Sequence, residues 1–305
     1  MKSAAPSAVF CLRFLFLTVL FTAPSLLTAQ NSWKGRDGDW GVPLNWSKNS
    51  VPSLTIVTPP VKTPAKPSAP APTAAIPAAP KPPALPPATT PLTPNAIILG
   101  GGTSTWDAST LGDFSIEVPI LMTKKAGWKQ TGGPAWIFVR NGGSLTVTDA
   151  KFDGGTSANF IVGGDQPGHV LVSGPDAVLS MPEGEIKLRR NATFSVQSGN
   201  VSATLISFDD TAAGTHGVLT LAGGTLTLTT NVFGGIYGGG DHHYVNLPAG
   251  SKAVILLTGI EPDAAYEQLE KGGIRFNHRI DLNAFKVEPL EGAGTRITLD
   301  PAAKP

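Results

Sequence analysis

Apolar residues that return every 24 or 25 positions constrain this chain more than any other feature. The stretches SLTVTDAKF from Ser144, HVLVSGPDAVL from His169, TFSVQSGNVSA from Thr193 and VLTLAGGTLTL from Val218 align so that Leu145, Val170, Phe194 and Leu219 coincide, at separations of 25, 24 and 25 residues. Each unit runs through an alternating strand, a tight turn at Gly or Asp, and a second alternating strand. A third apolar patch follows in each, at Phe160 to Val162, Ile186 to Leu188, Leu205 to Phe208 and Phe233 to Tyr237. A unit this short cannot bury its own apolar face and must stack on its neighbours. Three short strands per unit fit one coil of a parallel β-helix. A β-sandwich also uses alternating strands, but nothing in it demands a fixed period. The predicted fold class is therefore all-β, a parallel β-helix (β-solenoid) with coils of about 25 residues. Leu226 and Leu228 would point inward, leaving Thr225, Thr227 and Thr229 as an exposed ladder.

The open end of a solenoid presents unpaired strand edges, so both ends need covers. Residues 95–136 are expected to cap one end. At the other, Glu261 to Lys271 reads as a short helix, with Asp263 in its first turn and Gly272-Gly273 at its stop, and strands from Ile274 to Leu299 close the fold.

Ahead of the repeats the composition changes abruptly. Residues 59–94 hold 14 prolines in 36 residues, with three lysines and neither glycine nor an acidic residue. Such a stretch lacks the side chains for a core and the N–H groups for a ladder. It is expected to be a disordered, polyproline-like linker, with a reach on the order of 100 Å at about 3.1 Å per residue. Residues 30–58 are a separate tryptophan-rich segment containing Trp33, Trp40 and Trp46. Residues 1–29 read as a secretory signal: Lys2 and Arg13 supply charge, Phe14 to Phe21 is a compact apolar run, and Leu27-Thr28-Ala29 ends on a small residue, with cleavage expected after Ala29. An uncleaved anchor is the competing view, although the apolar run is well short of the roughly 20 residues that span a bilayer. The sole cysteine, Cys11, lies in this segment. The mature chain would thus have no disulfide, thiolate metal site or cysteine nucleophile, and no transmembrane domain. The boundaries are 1–29, 30–58, 59–94 and 95–305. Localisation is expected to be extracellular, at the cell surface or periplasmic.

With 23 Lys and Arg against 22 Asp and Glu, no net field selects nucleic acid or an anionic membrane. Neither GxGxxG, a phosphate loop, HExxH nor GxSxG occurs, so nucleotide, zinc-protease and serine-hydrolase chemistry find no motif. No cofactor is expected.

The period, the Gly-Gly turns and the phrase GVLTLAGGTLTL resemble the parallel β-helix repeats of exported bacterial proteins, the autotransporter passenger-type and pectate-lyase-like superfamily. The string WKGRDGDWGVPLNWSKNSVP is similar to the tryptophan-rich openings that precede such repeats. The resemblance implies either an adhesive or scaffolding surface protein or a polysaccharide-cleaving enzyme. Two departures set expectations: the sequence stops soon after Leu299 without a membrane-barrel pattern, and it carries no sorting tail.

Four groups of residues are candidates for chemistry. The string ISFDDTAAGTHG holds Asp209, Asp210 and His216, which resemble the acid-base groups of β-helical glycoside hydrolases. Those enzymes place the aspartate pair and the histidine about one period apart, whereas here six residues separate Asp210 from His216, so a turn with aspartates capping backbone donors is the alternative. A calcium-assisted lyase would draw on Asp149, Asp153, Asp165 and Asp176, with Lys187, Arg189 or Arg190 as proton acceptor; turn-capping acids and solubilising cations are the plainer account. Asp241, His242 and His243 suggest a metal site, against an exposed loop, because adjacent strand residues face opposite ways; no metal site is assigned. Trp33, Trp40 and Trp46 are candidates for stacking on sugar rings, unless they pack on each other or on the solenoid. Taken together, a structural or adhesive solenoid is expected, with cell-envelope components or extracellular polysaccharide as partner. The alternative is a polysaccharide lyase or glycoside hydrolase.

Overall fold

In the computed structural model the chain is described over residues 31–48, 51–52, 54, 96–208, 217–229, 235–237 and 243–303. The expected signal segment 1–29 and the proline-rich stretch 59–94 lie outside the described residues. What is described is an all-β parallel solenoid with three sheets, of nine, ten and six strands, whose members recur once per coil.

The sheets explain the period. On the first sheet Ile97, Ile120, Leu145, Val170, Phe194, Leu219, Val245 and Ile274 lie in register from coil to coil, and all are buried. Ser104, Trp128, Phe152, Leu179, Val201, Leu226 and Ile255 form the matching column on the second sheet. Phe114, Ile137, Phe160, Ile186, Ile206 and Ile236 form it on the third. Equivalent residues thus stack along the axis, and the apolar members of all three columns belong to one continuous core. The corner between the first and second sheets needs a left-handed residue in each coil, filled by Lys125, Asp149, Gly174, Gly199 and Gly224. Glycine takes that conformation without steric cost, which accounts for the Gly-rich turns. The hydroxyl ladder is present on the second sheet, where Ser180, Ser202 and Thr227 are successive register partners and the Ser202 hydroxyl donates to that of Ser180 at 3.1 Å.

Two expectations need correction. Residues 96–139 are no cap: they form two regular coils, with strands at Ile97–Gly100, Thr103–Asp107 and Phe114–Ile116, then Pro119–Thr123, Gly127–Thr131 and Trp136–Val139. Nor is the tryptophan-rich segment separate. Asn31–Ser32 pairs in parallel with Ile97-Ile98, and Gly38–Asp39 with Ser104-Thr105, while the Glu117 N–H donates to the Leu54 carbonyl at 2.9 Å. This segment is the first coil, and it reaches all three sides of the next. Pairing it with its neighbour required a step of 66 positions, from Asn31 to Ile97, so the inserted linker hid it from a search for a fixed period.

The far end closes as the sequence predicts. A helix spans Pro262–Glu270 with Pro262 at its start and Asp263 in its first turn. Gly272 and Gly273 donate to Leu269 and Gln268 in a paired C-terminal cap. Strand Gly294–Leu299 then runs antiparallel to both Val254–Thr258 and Phe285–Pro289, ending the parallel ladder.

Candidate functional site

The third sheet presents the chemically most varied outer face. Its inward column fixes the alternation, so the opposite face carries Trp136 and Phe138, Asn159 and Ile161, Glu185 and Lys187, Ser207, and Tyr237. Register places Trp136, Asn159 and Glu185 in one row along the axis, and Phe138, Ile161, Lys187, Ser207 and Tyr237 in the next. From the Trp136 coil to the Tyr237 coil is four strand spacings, about 19 Å.

Five of the six tryptophans are buried, whereas Trp136 is 45% exposed. Its ring centroid lies 5.9 Å from that of Phe138 at a tilt of 53°, and its backbone N–H donates to the Asp113 carboxylate at 2.9 Å, which anchors the start of the strand. The Arg140 guanidinium sits 4.5 Å above the Phe138 ring and its Nε reaches Ser115 Oγ at 3.1 Å and Glu117 Oε1 at 3.3 Å. That network covers one side of Phe138 and leaves the indole beside it open. Across the face, Lys187 Nζ pairs with Glu185 Oε1 at 2.8 Å. At the far end Tyr237 is half exposed. Phe138, Ile161 and Ser207 on this face are buried, so what lies open between the two exposed rings is the partly buried amide, carboxylate and ammonium groups of Asn159, Glu185 and Lys187. Such rings stack on the apolar faces of sugars, and the polar groups between them can bond hydroxyls.

The earlier candidates sit elsewhere. Trp33, Trp40 and Trp46 are buried, at 4%, 1% and 0% exposure. Trp46 packs edge-on against Trp40 and Trp33 at 4.7 and 5.1 Å, and its Nε1 donates to the Trp40 carbonyl. These rings offer no face to a glycan; they cover the end of the solenoid, because they dock on the coil formed by 97–116. Asp209, Asp210 and His216 lie outside the described residues, as do Asp241 and His242. His243 is not in an exposed loop: it opens the strand His243–Leu247 and is buried, with its ring 6.2 Å from Phe208. Arg189 and Arg190 follow the third-sheet strand Glu185–Leu188, and Arg190 lies 3.8 Å from the well-exposed Asp165. Asp149 and Asp153 accept from the backbone N–H groups of Asp176 and Gly155, as turn residues do. Among the described residues no three of His, Cys, Asp and Glu are grouped to hold a metal ion.

By sequence alone Trp136 falls at the edge of the expected cap, whereas it opens the strand Trp136–Val139. A signal for it existed: carrying the period back 23 residues from Phe160 and Val162 puts Ile137 and Val139 inside and Trp136 and Phe138 outside. Compared with protein-family models, with curated proteins and with solved structures, the chain gives no match. What is shown is the parallel β-solenoid itself; no match supports the autotransporter passenger-type or pectate-lyase-like assignment. Among the described residues no helix is long and apolar enough to cross a membrane.

Proposed function

We propose that the protein is an exported, surface-associated adhesive solenoid that binds a polysaccharide along its third sheet without cleaving it. The observation that carries this reading is Trp136, a large aromatic held half exposed on a rigid sheet, with Phe138 beside it and Asn159, Glu185 and Lys187 in the neighbouring coils. A flat, pre-formed platform loses little conformational entropy on binding, which suits recognition of an extended chain. Export is supported by the leader-like pattern of residues 1–29.

The test is titration of the whole chain with neutral and acidic polysaccharides, following tryptophan emission while recording new reducing ends and absorbance from unsaturated uronates. The expected result is an emission shift with at least one glycan, its loss in Trp136→Ala, and no new ends. An unchanged spectrum across the panel removes the reading. New ends or unsaturated products replace adhesion with catalysis, and the residues to mutate are then Arg189, Arg190, Asp209, Asp210 and His216.

A further inference from the structure

Strands Val254–Thr258 and Gly294–Leu299 part at one end of their antiparallel pairing. Val254 is the register partner of Thr298, and beyond that pair the backbone N–H groups that could continue the ladder are bonded elsewhere. The Ala253 N–H donates to Ser251 Oγ at 3.1 Å, and that hydroxyl donates to the Leu221 carbonyl at 2.7 Å. The Asp300 N–H donates to the Ala284 carbonyl at 2.8 Å, and the Asp300 carboxylate turns the chain back by accepting from the Ala302 N–H at 2.7 Å. With these donors satisfied, no backbone bond draws the two segments together. Between 250–254 and 298–303 lies an open cleft of about 440 Å³, within the roughly 300–1,000 Å³ range of small-molecule sites. Gly250 stands in its lining with φ +78°, and a Cβ there would meet no atom within 4 Å.

The two sides of the cleft differ in character. Alternation with the inward Ile255 and Ile297 puts Ala253 and Leu299 on the inner side, beside the buried Phe276. Lys252, Arg296 and Thr298 line the outer side. Lys252 is exposed and, among the described residues, forms no ion pair. Arg296 is half-exposed, and the Glu288 carboxylate it meets at 4.0 Å is held more closely by Lys286 Nζ, at 2.5 Å. Asp300, the acid in the lining, is engaged by its own turn. Two cations thus stand against one carboxylate at the edge of an apolar hollow. Small-molecule sites combine an apolar lining with a few placed polar groups, and a guanidinium matches the planar fork of a carboxylate. We propose that this cleft binds a small aromatic carboxylate, its ring against Phe276 and Leu299 and its charged group between Lys252 and Arg296. The inference is independent of glycan binding, since the cleft lies at the end of the second sheet and Trp136 on the third.

The experiment titrates the full chain with benzoate and naphthoate, and with benzamide and naphthamide as neutral counterparts, following saturation-transfer NMR and the thermal transition. Saturable binding of at least one acid is expected, with a rise in the transition temperature, and the amides should bind several-fold more weakly. Lys252→Gln and Arg296→Gln should each weaken binding several-fold. Thr298→Trp, which fills the cleft from a strand position that suits an aromatic side chain, should abolish it, while Trp136→Ala leaves it intact. No binding by either acid overturns the proposal, as does equal affinity for acid and amide. Galacturonate binding in place of the aromatic acids overturns the assignment of an apolar ring. Loss in Trp136→Ala with retention in Thr298→Trp puts the ligand on the third sheet and rejects the cleft. Should Thr298→Trp fail to fold, the double variant Lys252→Gln with Arg296→Gln decides, and unchanged affinity there overturns the proposal.

Discussion

The two ends of the rod are closed by different physics. At the first, a coil with minimal strand pairing is held by three indoles that continue the aromatic core: Trp40 meets Phe114, Phe114 stacks on Trp128 at 4.6 Å, and Trp128 stacks on Phe152 at 4.3 Å with the planes 8° apart. At the other, the core is mainly aliphatic, with Leu226, Leu228, Ile255 and Leu257, and Phe276 and Phe285 lie at its margin without a ring contact between them. The closure there is a helix and an antiparallel hairpin that pairs five residues with each neighbouring strand. A parallel ladder can therefore be ended by two short parallel pairings backed by apolar area or by reversing chain direction. The second pairs five residues of the last strand of one sheet with an antiparallel strand, where the first pairs two residues on each of two sheets. The first closure should be local and separable, the second integral to the fold.

The sharpest way to break that contrast is to truncate one buried side chain at each end. Trp46→Ala should cost about 3–5 kcal/mol and Ile297→Ala about 2–5 kcal/mol. Hydrogen exchange should show Trp46→Ala deprotecting residues 31–48 while coils from 120 onward stay closed, and Ile297→Ala weakening protection well beyond its own hairpin. Equal, global losses in both variants would mean that the first coil is as integral as the last.

Backbone approach gives a second, smaller contrast. A Cβ at Gly102 (φ +65°) would meet the Arg36 backbone at 2.7 Å, whereas one at Gly250 (φ +78°) meets no atom within 4 Å. Both Ala variants carry the left-handed cost of about 1–2 kcal/mol, but Gly102→Ala must also push the first coil away. Its thermal transition should gain an early phase that Gly250→Ala lacks, with a further loss of about 1–3 kcal/mol.

The smallest effect concerns acid. On the closing hairpin Lys286 hydrogen-bonds Glu288 and holds its carboxyl below the ordinary range, with the Lys286 and Arg296 charges adding to the shift. A lowered carboxyl stabilises the fold above its unfolded value and loses that contribution as pH falls through the folded value. The group is solvent-exposed, so screening keeps the effect slight. Thermal melts of native chain and Glu288→Gln should differ near neutrality and converge on acidification.

The repeats between Ser144 and Leu228 were legible because Leu145, Val170, Phe194 and Leu219 are all inward and nearly equally spaced. The structure places them in direct register. The closing helix was legible from its stop, since Gly272-Gly273 satisfies carbonyls that few other residues can reach. Residues before Ser144 do not read as coils in the sequence because Trp128 and Ser104 take positions that Leu and Val hold later, which blurs the period while keeping the fold. The tryptophans of the first coil were misassigned for a related reason: composition shows three large rings but not whether another surface is near enough to cover them. Outward residues such as Trp136 obey no repeat, and only the register of their inward neighbours locates them.

The regular register has a consequence for reach. Each added or deleted unit of about 25 residues moves one end by a single strand spacing of about 4.8 Å and leaves every other neighbour relation intact. The distance between Trp136 and Tyr237 is thus counted rather than tuned, as on a gauge with fixed divisions. A chain of this kind can change the length of what it measures in whole steps while keeping the rings at both marks.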